Sequence, residues 1–251
     1  MKDSQNSNES RLWRMNLKIF LIIATLLAAA TLPIAIRLSF AENVSQSLKG
    51  TPLEKVKNAI LPLKAKQTNV EQILKTKRCP GCDLSGLNLS GVDLSGADFS
   101  NTNLSRANLK NTKLKDAKMS GARLNDANLT HADLDGADFK GSDLKGADLS
   151  DAQLLNIDLT KADLSTATLN RTELRDSNLT GAKLERANLS HASLVGAHLT
   201  NANLTNANFS NALMRYVDLS KANITGTNLS GADLSLAIMP DGTTAYGTTQ
   251  Y

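Results

Sequence analysis

The chain has 251 residues, 41% of them apolar but only 4% aromatic, with a formal net charge of +4. The charge is unevenly divided: residues 1–81 carry 13 Lys/Arg against 5 Asp/Glu, a surplus of 8, whereas residues 82–241 carry 15 against 19, a deficit of 4. So few rings exclude an ordinary compact core built on aromatics, and the near-neutral main part excludes the cationic surface of a nucleic-acid-binding domain.

Residues 1–41 have the pattern of an export leader. Arg11, Arg14 and Lys18 precede an uncharged run from Ile19 to Ile36, and Ser39-Phe40-Ala41 places small residues where a cleavage site needs them. The run is also 18 residues long, and about 17–25 residues suffice to span a bilayer, so a signal peptide and an uncleaved anchor are both open. In either case the basic flank stays inside and the chain beyond the run crosses the membrane. Membrane contact through residues 19–36 is expected only if the leader is retained.

Residues 42–81 change character and read as a helical neck. Thr51-Pro52-Leu53-Glu54 is a capping box with Pro at the first helical position, ahead of Val56, Ile60 and Leu61. Thr68-Asn69-Val70-Glu71 repeats the device, and Val70, Ile73 and Leu74 form an apolar stripe. This second helix is expected to cap the segment on its C-terminal side.

From Cys82 to Asp241 the chain repeats one five-residue pattern, Ala-Asp/Asn-Leu-Ser/Thr-x, without insertion. Its central apolar residue falls at Leu84, Leu89, Leu94, Phe99 and every fifth position to Met239, giving 32 repeats of which 25 are centred on Leu. A helix advances about 100° per residue, so a step of five smears these centres around the barrel and leaves no apolar stripe. In an extended segment, residues two apart share a side, so Ala and Leu point inward while Asp/Asn and Ser/Thr point outward. Five is odd, and a straight strand would throw the next Leu outward. The chain must therefore turn in every repeat, at the fifth residue: Gly86, Gly91, Gly96, Asn101, Gly121, Gly136, Gly141 or Gly146, types that tolerate corners.

This repeat resembles the pentapeptide-repeat proteins. The resemblance implies an all-β fold, a right-handed quadrilateral parallel β-helix with four repeats per coil. A 20-residue period supports it independently: Phe99, Met119 and Phe139 are 20 apart, as are Asn88, Asn108 and Asn128. About eight coils at about 4.8 Å each would make a rod roughly 38 Å long. Leu87, large where Ala is usual, sits where a lid must fill space. Met239-Pro240-Asp241-Gly242 ends the pattern, and residues 242–251 are expected to be a flexible tail. The cap, the Cys pair and this ending resemble exported pentapeptide-repeat proteins of cyanobacteria, which points to a periplasm or thylakoid lumen.

Cys79-Pro80-Gly81-Cys82 is the one motif with reactive potential. In an oxidising compartment a disulfide from the neck to the first coil is expected. Two alternatives stay open: inert thiols, with Cys82 in a small inward slot, and redox or metal use, for which no thioredoxin-like setting or further ligands accompany the pair. His131 and His191 share a corner but lie three coils apart, about 14 Å, too far for one ion; His198 lies elsewhere. No catalytic, cofactor or metal residues are assigned, and the Asp column reads as a solvated face that stabilises the corners.

The sides differ. Those centred on Leu89 and Phe99 carry mostly Asn, Asp, Ser and Thr. The side centred on Leu94 is varied, with Lys113, Lys115, Asp135, Glu173 and Arg175, and with Leu155, Val195 and Leu213 outward, Arg215 beside them and Tyr216 at the corner. These last five form a candidate docking or dimer patch. The expected function is an exported, non-catalytic scaffold or protein-interaction rod, with an unidentified protein or a second copy as partner. Two readings compete with it. One is the DNA mimicry of the quinolone-resistance pentapeptide proteins, which occupy topoisomerase; a deficit of 4 charges is weak beside duplex DNA. The other is a redox or metal role for Cys79 and Cys82.

Overall fold

The computed structural model describes residues 73–245. The chain divides into two units, Met1–Glu71 and Gln72–Tyr251, and only the second is treated below. The leader, the capping box at Thr51 and the stripe residue Val70 lie outside the described residues. Of the expected cap, residues 73–76 form one helical turn with Ile73 buried.

Beyond that turn the backbone obeys a single rule. The residue before each centre pairs in parallel with the residue twenty positions on, from Arg78↔Asp98 and Asp83↔Asn103 through to Asp218↔Ile238. Twenty residues are four repeats, so the rod has four sides. Leu104 and its neighbours show the bonding of one repeat. Asn103 N–H donates back to Cys82 O at 2.8 Å, Leu104 N–H forward to Arg123 O at 2.7 Å, and Arg106 N–H forward to Asn125 O at 2.9 Å. A fourth bond, from Ala107 N–H to Leu104 O at 3.0 Å, closes the corner.

With positive φ at its third residue, this corner is a type II turn. Gly121 has φ +65° and Asn101 φ +57°, as the odd period requires, but so do residues with no special tolerance for it, including Thr166 (+59°), Tyr216 (+59°) and Leu236 (+61°). Such a conformation costs an L-residue about 1–2 kcal/mol, so the stacked coils dictate it there against local preference. The Asp/Asn before each centre supplies the compensation. Its side-chain oxygen accepts the N–H of the residue two further on, as from Ser85 to Asp83 (3.0 Å), Thr130 to Asn128 (3.0 Å) and Ser220 to Asp218 (2.9 Å), satisfying a donor that the coil-to-coil ladder leaves over.

The interior is a column of aliphatic carbon. Leu94, Leu114, Leu134, Leu154, Leu174 and Leu194 stack on one side with no exposed surface. Where the small slot holds a hydroxyl, it bonds a carbonyl: Thr112 to Leu89 O at 3.0 Å, Ser142 to Phe139 O at 2.8 Å, Ser177 to Leu174 O at 2.6 Å. Burying these hydroxyls is tolerable because each finds an acceptor. Ile157 and Val217, large for that slot, are buried too, with Ala137 below and Ser177 above the first, and Ala197 and Ala237 flanking the second.

Two boundaries move. The ladder begins at Arg78, not at residue 82, because Lys77-Arg78-Cys79-Pro80-Gly81 already has the repeat pattern, with Cys79 as a buried centre and Gly81 at φ +73°. Cys79 and Cys82 are joined as a disulfide, Cα–Cα 5.5 Å, and Cys82 N–H donates to Cys79 O at 3.2 Å. The bridge spans the first corner of the rod itself, where Pro and Gly occupy the two central turn positions they suit best, instead of tying a separate neck to a coil. At the other end, residues 242–245 depart from the expected flexible tail. Gly242 reverses the chain, and Met239 N–H donates to Thr243 O (2.7 Å), Leu236 N–H to Ala245 O (2.8 Å) and Ala245 N–H to Ala237 O (2.8 Å), so the segment lies antiparallel against the last side. Pro240 follows the last centre, where Ile238 offers no side-chain acceptor for an N–H, and beyond it the chain folds back at Gly242.

A candidate docking surface at the C-terminal corner

Most outward positions hold side chains that bond their own corners. Among the described residues the exposed large apolar ones are Leu213 (49%), Tyr216 (54%), Leu236 (40%) and Ile238 (39%). Tyr216 and Leu236 are successive residues of one corner column, Leu213 lies on the side leading into that corner, and Ile238 on the side leaving it. Arg215 stacks over the Tyr216 ring at 5.7 Å and reaches Asp233 at 3.9 Å. The two apolar residues expected lower down do not join this surface: Leu155 and Val195 are half-buried. The patch is therefore short and terminal, not a stripe along the rod. Leu236 and Ile238 do leave a signal in the sequence: one is an apolar residue at the corner position and the other replaces the outward Asp/Asn of its repeat, so both face away from the core.

The remaining candidates scatter. His131, His191 and His198 are all exposed. Between His131 and His191 on their shared corner sit Asp151 and Arg171, joined by two 2.7 Å hydrogen bonds. Among the described residues no group of His, Cys, Asp and Glu could hold a metal ion. A shallow groove of ≈ 540 Å³ is lined by Ser85, Asn103, Ser105, Arg106, Arg123 and Asn125. Asp83 and Asp143 are the ladder partners of Asn103 and Arg123. It contains no nucleophile held by a base.

The carboxylates act structurally. Ser95 N–H and hydroxyl, with Lys77 at 3.2 Å, pull the Asp93 carboxyl down to about 2. Burial pushes Asp158 and Asp163 upward, yet the hydroxyl and N–H of Thr160 and of Ser165, with Lys140 and Lys183 nearby, outweigh it and hold both below the usual range. Asp218 and Asp233 are lowered in the same manner by Ser220 and Ser235, against the burial that acts most strongly on Asp218. These acids are ionised to hold turns, not poised to exchange protons.

The pentapeptide repeats profile matches residues 82–121, 122–160, 147–186, 157–194, 182–215 and 202–239. The chain belongs to the pentapeptide-repeat family. Members of this family fold as right-handed β-helices, which sets the hand of the coil described above. Among solved structures the chain is similar to HetL, a pentapeptide repeat protein involved in heterocyst differentiation regulation from the cyanobacterium Nostoc sp. strain PCC 7120, at 37% identity over 67% of this chain and 81% of that one, TM-score 0.40. It is similar to QnrB1, a plasmid-mediated fluoroquinolone resistance protein, at 21% identity over 63% and 89%, TM-score 0.49. It is also similar to a pentapeptide repeat protein from the Arabidopsis thaliana thylakoid lumen, at 30% identity over 54% and 70%, TM-score 0.18. No curated protein matches it.

Proposed function

We propose that this pentapeptide-repeat protein is an exported, non-catalytic interaction rod that docks a protein partner through its C-terminal corner. One observation carries the reading. The outward residues along the rod are engaged in Asx turns and Asn ladders, such as Asn228 to Asn208 at 3.0 Å and Asn208 to Asn188 at 3.2 Å, whereas Leu213, Tyr216, Leu236 and Ile238 expose apolar surface together at one place. Clustered apolar surface on an otherwise polar solenoid is what a partner covers. Arg215 beside Tyr216 supplies the kind of aromatic and guanidinium pair that dominates binding energy in interfaces. Export rests on the leader: the basic flank and apolar run before residue 42 direct the rod to a periplasm or thylakoid lumen. Among the described residues no helix is long and apolar enough to cross a membrane; a retained leader would make its membrane contact through residues 19–36.

Nothing in the rod favours DNA mimicry. Its acids turn one oxygen back to a corner N–H and several are paired, as Asp151 with Arg171 and Asp158 with Lys140 at 3.1 Å, which leaves no continuous anionic stripe. The test is fractionation with N-terminal sequencing, followed by cross-linking in the compartment where the protein is found. Leu213→Ser with Tyr216→Ser is expected to abolish partner recovery. Recovery of the intact chain in the cytosol, or unchanged partner capture by the double variant, would overturn the reading.

A further inference from the structure

Charge is concentrated in one coil of the rod. Residues 104–123 hold Arg106, Lys110, Lys113, Lys115, Lys118 and Arg123 against Asp116 alone, six of the 15 Lys/Arg between residues 82 and 241. Elsewhere cations meet a carboxylate of a neighbouring coil, as Lys140 meets Asp158 at 3.1 Å and Arg171 meets Asp151 at 2.7 Å. Among the described residues none of these six joins such a pair. Two of them, Arg106 and Arg123, line the groove of ≈ 540 Å³ beside Ser85, Ser105 and Asn125. Arg106 is the corner after Leu104, with φ +56°, and Arg123 opens the strand before Leu124 one coil on, so the two guanidinium groups bracket Ser105 and Asn125. Gly86, the corner preceding Arg106 in the same column, leaves open space there: a Cβ on it would meet nothing within 4 Å.

We infer that this groove binds a phosphate group, held by Arg106 and Arg123 with the Asn125 amide as a further donor. The nearest acids in the ladder bond other groups. Asp143, beside Arg123, accepts Lys145 N–H at 3.1 Å, and Asp83 accepts Ser85 N–H and Asn103 Nδ2, both at 3.0 Å. Asp126, the corner above Arg106, has its Oδ1 2.7 Å from where a Cβ on Gly146 would stand, so it is turned to the following coil. Asn125 accepts the Ser105 hydroxyl on Oδ1 at 2.6 Å, which leaves its Nδ2 as the end that can donate to a ligand. The groove therefore offers donors: two planar guanidinium forks and an amide, a set that suits the oxygens of an oxyanion. Two fixed positive charges select a dianion. A phosphate monoester carries about −1.5 to −2 at pH 7, where a carboxylate carries one charge. The volume falls in the range of small-molecule sites, so the body of an organic phosphate has room against Ser85 and Gly86. This site lies coils away from Leu213 and Tyr216 and does not depend on the docking corner.

Equilibrium dialysis of the full chain at low ionic strength against inorganic phosphate, glycerol 3-phosphate or acetate reads the site directly. Both phosphates are expected to saturate at one per chain, and acetate to bind at least about tenfold more weakly. Arg106→Gln and Arg123→Gln, both at exposed positions, are each expected to weaken phosphate binding about tenfold with the circular dichroism unchanged. Lys118→Gln removes the same charge from the same coil on another side and is expected to leave the affinity within about twofold. Tighter binding of glycerol 3-phosphate than of phosphate would assign an esterified phosphate as the occupant, and equal binding the free ion; both outcomes support the site. No saturable uptake of either phosphate, acetate bound as tightly as phosphate, or an equal loss from Lys118→Gln would overturn the inference, the last by showing that the whole coil attracts anions diffusely.

Discussion

Replacing Leu154 by Ala removes a centre that is wholly enclosed and lies between Leu134 and Leu174 in one stack. The coils above and below are pinned by backbone bonds on both sides, Leu154 N–H to Glu173 O at 2.8 Å and Leu134 N–H to Gln153 O at 2.7 Å, so they cannot collapse into the gap. The loss is then the transfer term plus a cavity term, about 3–5 kcal/mol, near the top of the range for buried Leu→Ala changes. The same change at Leu229 removes a side chain that is already half-exposed, with no further coil above it among the described residues. Only part of the transfer term of about 1.5–3 kcal/mol applies, and roughly 1 kcal/mol is expected. Urea denaturation followed by far-UV circular dichroism gives both numbers. Because each coil touches only its neighbours, the Leu154 variant should also broaden the transition by uncoupling the two halves of the rod. Equal costs at the two positions would refute the claim that stability resides in coil-on-coil burial.

Asn101 Oδ1 lies 2.5 Å from where a Cβ on Gly121 would stand. Gly121→Ala should therefore cost about 1–2 kcal/mol from its positive φ plus a further penalty for the displaced amide, and Asn101→Ala should remove only the second part, a coupling that a double-mutant cycle reads directly. Acid should destabilise the rod: Asp93 titrates at about 2 when folded against 3.8 otherwise, and Asp98, Asp158, Asp163, Asp218 and Asp233 are lowered too. For a depressed carboxyl the stabilisation is complete above the unfolded value and disappears as pH falls through the folded one. Unfolding free energy should thus fall between about pH 4 and pH 2, and a flat profile across that window would contradict the turn-holding role. Replacing both Cys79 and Cys82 by Ser should cost about 1.5 kcal/mol, as befits a bridge closing so short a loop, with faster hydrogen exchange confined to the first coil; faster exchange as far as Leu154 would show the corner to be a keystone of the whole rod.

Much of this molecule derives from a single number. An odd period of alternating small, polar, large and polar residues fixes which side chains face inward and forces a bend in every repeat, because both consequences are local: they depend on residues one to five positions apart. The corner glycines, the Asp/Asn column as a turn-holding device and the 20-residue stacking of Phe99, Met119 and Phe139 are legible for that reason. What the sequence could not decide lies between residues twenty apart or at the ends of the stack. Whether Leu155 and Val195 are exposed depends on the coils flanking them, and their outward register alone says nothing about that. The placement of Cys79 as a buried centre needs the ladder from Arg78 to Asp98 to be seen. The reversal at Gly242, the left-handed backbone of Tyr216 and Leu236, and the half-buried state of Ile224 and Leu229 are set by what lies alongside them in space, which the repeat itself does not record.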